Sequence, residues 1–196
     1  MKTKFTLFIF VVIIIILQSC STPKSILKLQ PEEKDTGKWL YGQHFIADSL
    51  NGIIYEVGFE RCQSEQYWFN FTITNHSNLP ILIDPMLFKL QALNGYHKTI
   101  KENSALNPEN EILNIEKSLA KANNSEADAF HADDLKTLKD SWENSTVRKT
   151  TLEPNYNMQG KVFFPAVREA VYIKLCLPVD TDVVELNYVQ LHFPVK

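Results

Sequence analysis

The chain has 196 residues, 20 Lys+Arg against 23 Asp+Glu for a formal net charge of −3, and 44% hydrophobic residues. That is room for one ordinary domain with a real core, and it lacks the basic face that nucleic-acid binding needs, so no nucleic-acid partner is expected. Only six glycines occur, none in a G-x-G-x-x-G or G-x-x-x-x-G-K pattern, which excludes a dinucleotide fingerprint and a P-loop.

At the N-terminus Lys2 and Lys4 precede an apolar run, Phe5 to Leu17, broken only by Thr6. Thirteen helical residues span about 20 Å, short of the roughly 30 Å hydrocarbon core. Residues 1–19 therefore read as a signal peptide rather than a stable span. Leu17-Gln18-Ser19-Cys20 resembles the lipobox of bacterial lipoproteins, in its relaxed Bacteroidetes-type form. Leu17 and Ser19 match that box and Gln18 departs from it. The resemblance implies cleavage before Cys20, a diacylglycerol on its thiol and an acylated amine. It also implies a chain held on the bacterial cell envelope; two or three acyl chains hold a soluble domain on a bilayer where one does not. The alternative is a plain secretory signal with a chance cysteine. Without Lys2 and Lys4 the balance is 18 against 23, or −5, so the domain's own surface does not attach it to anionic lipid. Surface-exposed lipoproteins of this group resemble one another in an acidic run after the cysteine. Ser21–Ser25 lacks one, which implies an outer-membrane anchor facing the periplasm.

Residues 20–37 are polar with two prolines and read as a lipidated tether, leaving 38–196 as the folded domain. Besides Cys20 the chain has Cys62 and Cys176. In an oxidising compartment these either bridge, closing a loop worth about 4–5 kcal/mol by chain entropy, or stay as separate small hydrophobes. No C-x-x-C or Cys/His cluster argues for zinc.

Alternation then sets in. Ile53, Tyr55, Val57 and Phe59 share one face. After the polar break Cys62–Glu65, Tyr67, Phe69, Phe71 and Ile73 share another, opposite Trp68, Asn70, Thr72 and Thr74. This predicts an antiparallel, half-buried hairpin with Phe69 and Phe71 in the core. Asn75–Asn78 is a turn cluster. Ile81 and Ile83 begin a strand that Asp84-Pro85 interrupts before Met86, Phe88 and Leu90 resume it, marking a bulge or a crossing between sheets. Asn107-Pro108-Glu109 opens a helix, with Ile112, Ile115 and Leu119 at helical spacing. Asn123-Asn124 breaks it, and Ser125 with Asp128 caps a second helix carrying Leu135, Leu138 and Trp142. A helical insertion of about 107–143 follows. Strands return at Val147–Leu152, Val162–Phe164 and Val171–Leu177. In the last strand Val184, Leu186 and Tyr188 are in phase and Val189, Leu191 and Phe193 are in the opposite phase, which predicts a bulge near Tyr188.

Seven to nine short strands read as a mainly β chain, an antiparallel β-sandwich with an inserted helical segment. Tyr67–Asn75, an aromatic strand ending at Asn, and Thr151-Leu152-Glu153-Pro154 leading to Gly160 and Phe164 resemble secreted bacterial immunoglobulin-like domains of uncharacterised function. The resemblance covers about 50–196, departs at the inserted helices, and carries no catalytic residues over.

Chemistry-bearing constellations are sparse. Asp128 and His131 share a helix face and could share a cation, but a solvated acidic face explains the same letters. His44, His76, His97 and His192 are dispersed. No G-x-S-x-G elbow occurs, and no acidic pair is recognisable. No catalytic residue, metal ligand or cofactor is therefore expected. Trp39, Tyr41, Phe45 and Trp68 could stack on a sugar or anchor a partner; packing on the sheet's second face or under the helices is the plainer reading. Asp48-Ser49-Leu50 resembles the short O-glycosylation motif of Bacteroidetes secreted proteins. The sequence points to a non-catalytic, lipid-anchored binding or envelope-assembly module, with a protein partner in the envelope; the alternatives are a sugar- or metal-binding lipoprotein and an envelope hydrolase.

Overall fold

The structure, a computed structural model, describes residues 25–32, 37–40, 42–122 and 129–194. Two compact units are distinguished: Leu27–Leu191, and a small one to which, of the described residues, Ser25, Ile26 and His192–Pro194 belong. The first holds the fold.

Among the described residues, twelve strands and two helices follow in chain order: β1 (Ser25–Pro31), β2 (Lys38–Leu40), β3 (Gln43–Leu50), β4 (Ile53–Gln63), β5 (Gln66–Asn75), β6 (Ile81–Ile83), β7 (Lys89–Leu93), β8 (Thr99–Ser104), α1 (Pro108–Ala122), α2 (Ala129–Ser145), β9 (Thr150–Leu152), β10 (Asn157–Pro165), β11 (Tyr172–Val179) and β12 (Asp182–Pro194). One sheet has the order β1-β12-β11-β7-β8, the second β10-β5-β4-β3-β2, and β6 pairs with β9 alone. Of the described residues 55% are strand and 21% helical, a mainly β fold of antiparallel sheets with two inserted helices.

Local chemistry explains the hairpins. Asn51 and Gly52 both have positive φ, 53° and 81°, the pair that a two-residue turn matched to strand twist requires. Gly52 also lets the chain lie against Ser77, whose nitrogen a Cβ would meet at 3.0 Å. Ser64 and Glu65 make the β4–β5 turn in the same left-handed region without glycine. There the Glu65 carbonyl accepts from Ala166 N at 2.8 Å, and its carboxylate takes two bonds from Arg168. Gly160 is needed for space: a Cβ there would meet the Val147 backbone nitrogen at 2.8 Å, and Val147 is part of the core.

One core lies between the two five-stranded sheets. Inward residues of β4 and β5, among them Tyr55, Val57, Phe69 and Phe71, meet Leu90, Ile173, Leu175 and Tyr188 from the other side. Phe69 is edge-to-face with Phe164 and Tyr188, at 5.9 and 5.5 Å. A second, smaller apolar cluster sits on the outer face of β10 and β5, where Ile112, Ile115 and Trp142 from the helices close over Phe163 and Trp68. Asn107 caps α1 through its side chain, which accepts from Glu109 N at 3.0 Å, as the Asn-Pro-Glu signal predicts.

Two expectations are corrected. The stretch 20–37 is not all tether: β1 joins the first sheet, and Leu27 and Leu29 are 3% exposed. Their alternation with charged and polar neighbours is too short to stand out in a polar segment. No bulge interrupts β12 near Tyr188, because its ladder with β11 runs unbroken from Tyr172↔Val189 to Val179↔Asp182. Gln190 simply continues the inward phase, buried and donating to the carbonyls of Val167, Arg168 and Ala170. Of the two alternatives for the cysteines, the structure has the separate one: Cys62 and Cys176 are free thiols. Cys62 packs against the core beside Tyr67, whereas Cys176 alternates with buried Leu175 and Leu177 and so lies on the outer face of β11, with a sheet between them.

Candidate functional site

The interruption at Asp84-Pro85 is where the chain leaves one layer for the other. Pro85–Leu87 forms a single 3-10 turn, capped by the Asp84 carboxylate accepting from Met86 N at 3.0 Å. β5 belongs to the second sheet and β7 to the first, so β6 and this turn bridge the open end of the sandwich. The crossing stands clear of the β11–β12 tip. Between them is a groove of about 250 Å³, floored by Ile53, Tyr55, Ile83 and Phe88 and flanked by Val179 and Asp180.

Its walls are apolar and its lips are unusual. Leu82 and Leu87 line it yet are 62% and 57% exposed, and Leu79 and Met86 are exposed beside them in the chain. At Met86 and Leu87 the 3-10 turn causes this, breaking the alternation that would otherwise put Met86 in phase with Phe88, whereas Leu82 is the outward residue of β6 between Ile81 and Ile83. The polar groups of the floor are satisfied, with the Tyr55 hydroxyl donating to Pro178 O at 2.9 Å. Burial holds that phenol far above its ordinary pKa. Asp84 is ion-paired with Lys149 at 2.9 Å. The hydrogen bond from Lys149, aided by that from Met86 N, keeps its carboxyl below the usual range. The groove thus offers shape and apolar surface, with a negative tip at Asp180.

The residues singled out in the sequence are not brought together. Cys20, Tyr41 and Asp128 lie outside the described residues, as does the His131 side chain. Burial raises the pKa of both Cys62 and Cys176, which disfavours the thiolate. Trp39 is exposed and stacked on His44 at 5.1 Å, while the Phe45 ring lies over Gly58, where a Cβ would meet it at 2.9 Å. Trp68 packs under the helices as the plainer reading has it, edge-on to Phe163 at 5.0 Å with the Arg61 guanidinium 4.1 Å from its ring centre. Its indole N–H has no hydrogen-bond partner among the described residues. Asp48 and Ser49 are exposed on β3. Among the described residues no three His, Cys, Asp or Glu are grouped to hold a metal, and no described helix is long and apolar enough to cross a membrane. The groove itself was missed in the sequence; its one signal was a proline inside an apolar run.

The two segments that carry the immunoglobulin-like resemblance do meet. Asn75, ending β5, donates through its side chain to Leu152 O at 2.9 Å, and Asn155 N donates to Asn75 O at 2.6 Å. No family model, curated protein or solved structure matches the chain.

Proposed function

We propose that this chain is a lipid-anchored protein of the bacterial cell envelope, on the outer membrane facing the periplasm, and that its immunoglobulin-like sandwich is a non-catalytic binding or assembly module. The apolar run ending at Ser19-Cys20 supports the anchor. The observation that carries the binding role is the groove between the β6 crossing and the β11–β12 tip, with Leu82 and Leu87 held out of the core beside an apolar floor. Large side chains kept exposed around a concavity mark contact surfaces in soluble domains.

Two measurements test this. Labelled palmitate should enter the wild-type chain and not Cys20→Ala; equal label in both removes the anchor. For the binding role, a photo-crosslinking amino acid is placed at Leu82, at Leu87 and, as a control, at the exposed Lys117 of α1, in the full chain in cells. Discrete adducts at the two groove positions, absent at Lys117 and lost when Leu79 is also changed to Asp, are expected. Adducts at Lys117 alone, or at none of the three, would overturn the groove as the contact surface.

A further inference from the structure

What enters the groove is constrained by its size, its backbone and its charge. A volume of about 250 Å³ falls below the roughly 300–1,000 Å³ of pockets that take cofactors and drug-sized ligands. It suits one or two aliphatic side chains.

An added strand is excluded by the backbone of β11. The β11–β7 ladder stops at Cys176↔Lys89, so the end of β11 has an edge uncovered by β7. The residue whose backbone faces that edge is Pro178, which has no N–H to give, and its carbonyl is already taken by the Tyr55 hydroxyl. Proline on an edge is how sheets refuse a further strand. The groove therefore holds side chains and does not pair with a peptide backbone along β11.

Charge separates the remaining occupants. Lys149 beside the groove is neutralised by Asp84. Asp180 at the flank and Asp182, opposite Val179 in the ladder, are both exposed, and neither has an ion-pair partner among the described residues. An acyl chain under an anionic headgroup would meet the Asp180 carboxylate at the mouth, with Asp182 across the ladder from Val179 behind it. An apolar side chain between lysines or arginines would meet complementary charge. Resting on the proposed binding role, we infer that the groove takes an apolar side chain flanked by basic residues, on an exposed segment of a protein partner.

The test uses the full chain in neutral detergent and a fluorescein-labelled peptide carrying one Leu between two pairs of Lys, followed by anisotropy. A second peptide has Glu in place of each Lys. The Lys peptide should bind at least tenfold more tightly than the Glu peptide. Asp180→Asn with Asp182→Asn should weaken it about three- to tenfold at low salt, with the loss shrinking as salt shortens the reach of exposed charges. Asn tolerates the positive φ of 52° at position 180, so this variant keeps the tip. Leu82→Asp should abolish binding of either peptide. Equal binding of both peptides, lost in Leu82→Asp, would overturn the charge inference and leave the groove reading standing. No binding of either at millimolar concentration would overturn the inference as well. Only the crosslinking result above decides the groove reading.

Discussion

Tyr55, Tyr67 and Tyr188 each bury a ring and tie their hydroxyl to a distant segment of backbone. Tyr55 donates to Pro178 O at 2.9 Å and Tyr188 to Val57 O at 3.2 Å, while Tyr67 shares its proton between Val167 O at 3.0 Å and Gln190 Oε1. Each staples one sheet to strands or loops of the other layer. Gln190 completes the Tyr67 staple by donating to three loop carbonyls, so Gln190→Leu keeps the volume but strands acceptors in a dry place. A loss of about 1–3 kcal/mol is expected, read as a lower urea midpoint; an unchanged midpoint would mean that water replaces the amide. Glu65 shows a second single-residue trade. It occupies φ 58°, disfavoured without glycine, and is held by Arg168. The Arg168 hydrogen bonds lower its pKa below the ordinary 4.5. A depressed folded value means the stabilisation is present above about pH 4.5 and is lost as pH falls through that lower value. The gap in urea midpoint between wild type and Glu65→Gln should therefore exist at pH 6 and close in stronger acid. A gap independent of pH would show that the turn, and not the ion pair, depends on this side chain.

At the scale of elements, β5 is the clearest case of sequence becoming structure. Tyr67, Phe69, Phe71 and Ile73 are all buried and the residues between them only partly so. Phe71→Ala should cost about 3–5 kcal/mol through lost transfer energy and a cavity, a large share of a domain's roughly 5–15 kcal/mol. Thr72→Ala should cost under about 1 kcal/mol. Comparable losses would mean that the outer face at Thr72 is as closely packed as the core. Such strands were legible because one side faces solvent and the other does not. Legibility failed where that contrast fails. β1 hides because Leu27 and Leu29 stand among charged and polar residues. β12 misled because a polar residue, Gln190, takes an inward place that only tertiary partners make tolerable. The helices were legible by period and cap, but Leu138 faces solvent, since only the Ile112, Ile115 and Trp142 side of the pair meets the sheet. The candidate groove was illegible for a related reason: Leu82 and Leu87 look like core residues, but Leu82 is the outward residue of the short strand β6 and the 3-10 turn at Pro85 exposes Leu87.

For Leu27–Leu191 as a whole, apolar burial is divided between two clusters that share a sheet from opposite faces. Phe163 belongs to the helical cluster, while its neighbours Val162 and Phe164 belong to the sandwich core. The helices add their own bonds, with Lys139 of α2 3.2 Å from Glu116 of α1 and 3.0 Å from Glu143, but these are exposed pairs worth little. Their attachment rests mainly on Trp142 against Phe163, ring centres 4.3 Å apart, together with Ile112 and Ile115. Burial this small beside the sandwich core makes the helical pair a separate cooperative unit, open more often than the strands. Native-state hydrogen exchange should therefore show α1 and α2 amides exchanging faster than those of β4 and β5. Trp142→Ala removes the largest anchor, and it should strip protection from both helices while leaving β4 and β5 nearly unchanged. The sandwich and its groove would then survive loss of the insertion, and the Lys-flanked peptide should still bind. A fall in β4 and β5 protection equal to that of the helices would show one cooperative unit instead. The outer face of β10 and β5, with Trp68 and Phe163, would then be as necessary to the fold as the core beneath it.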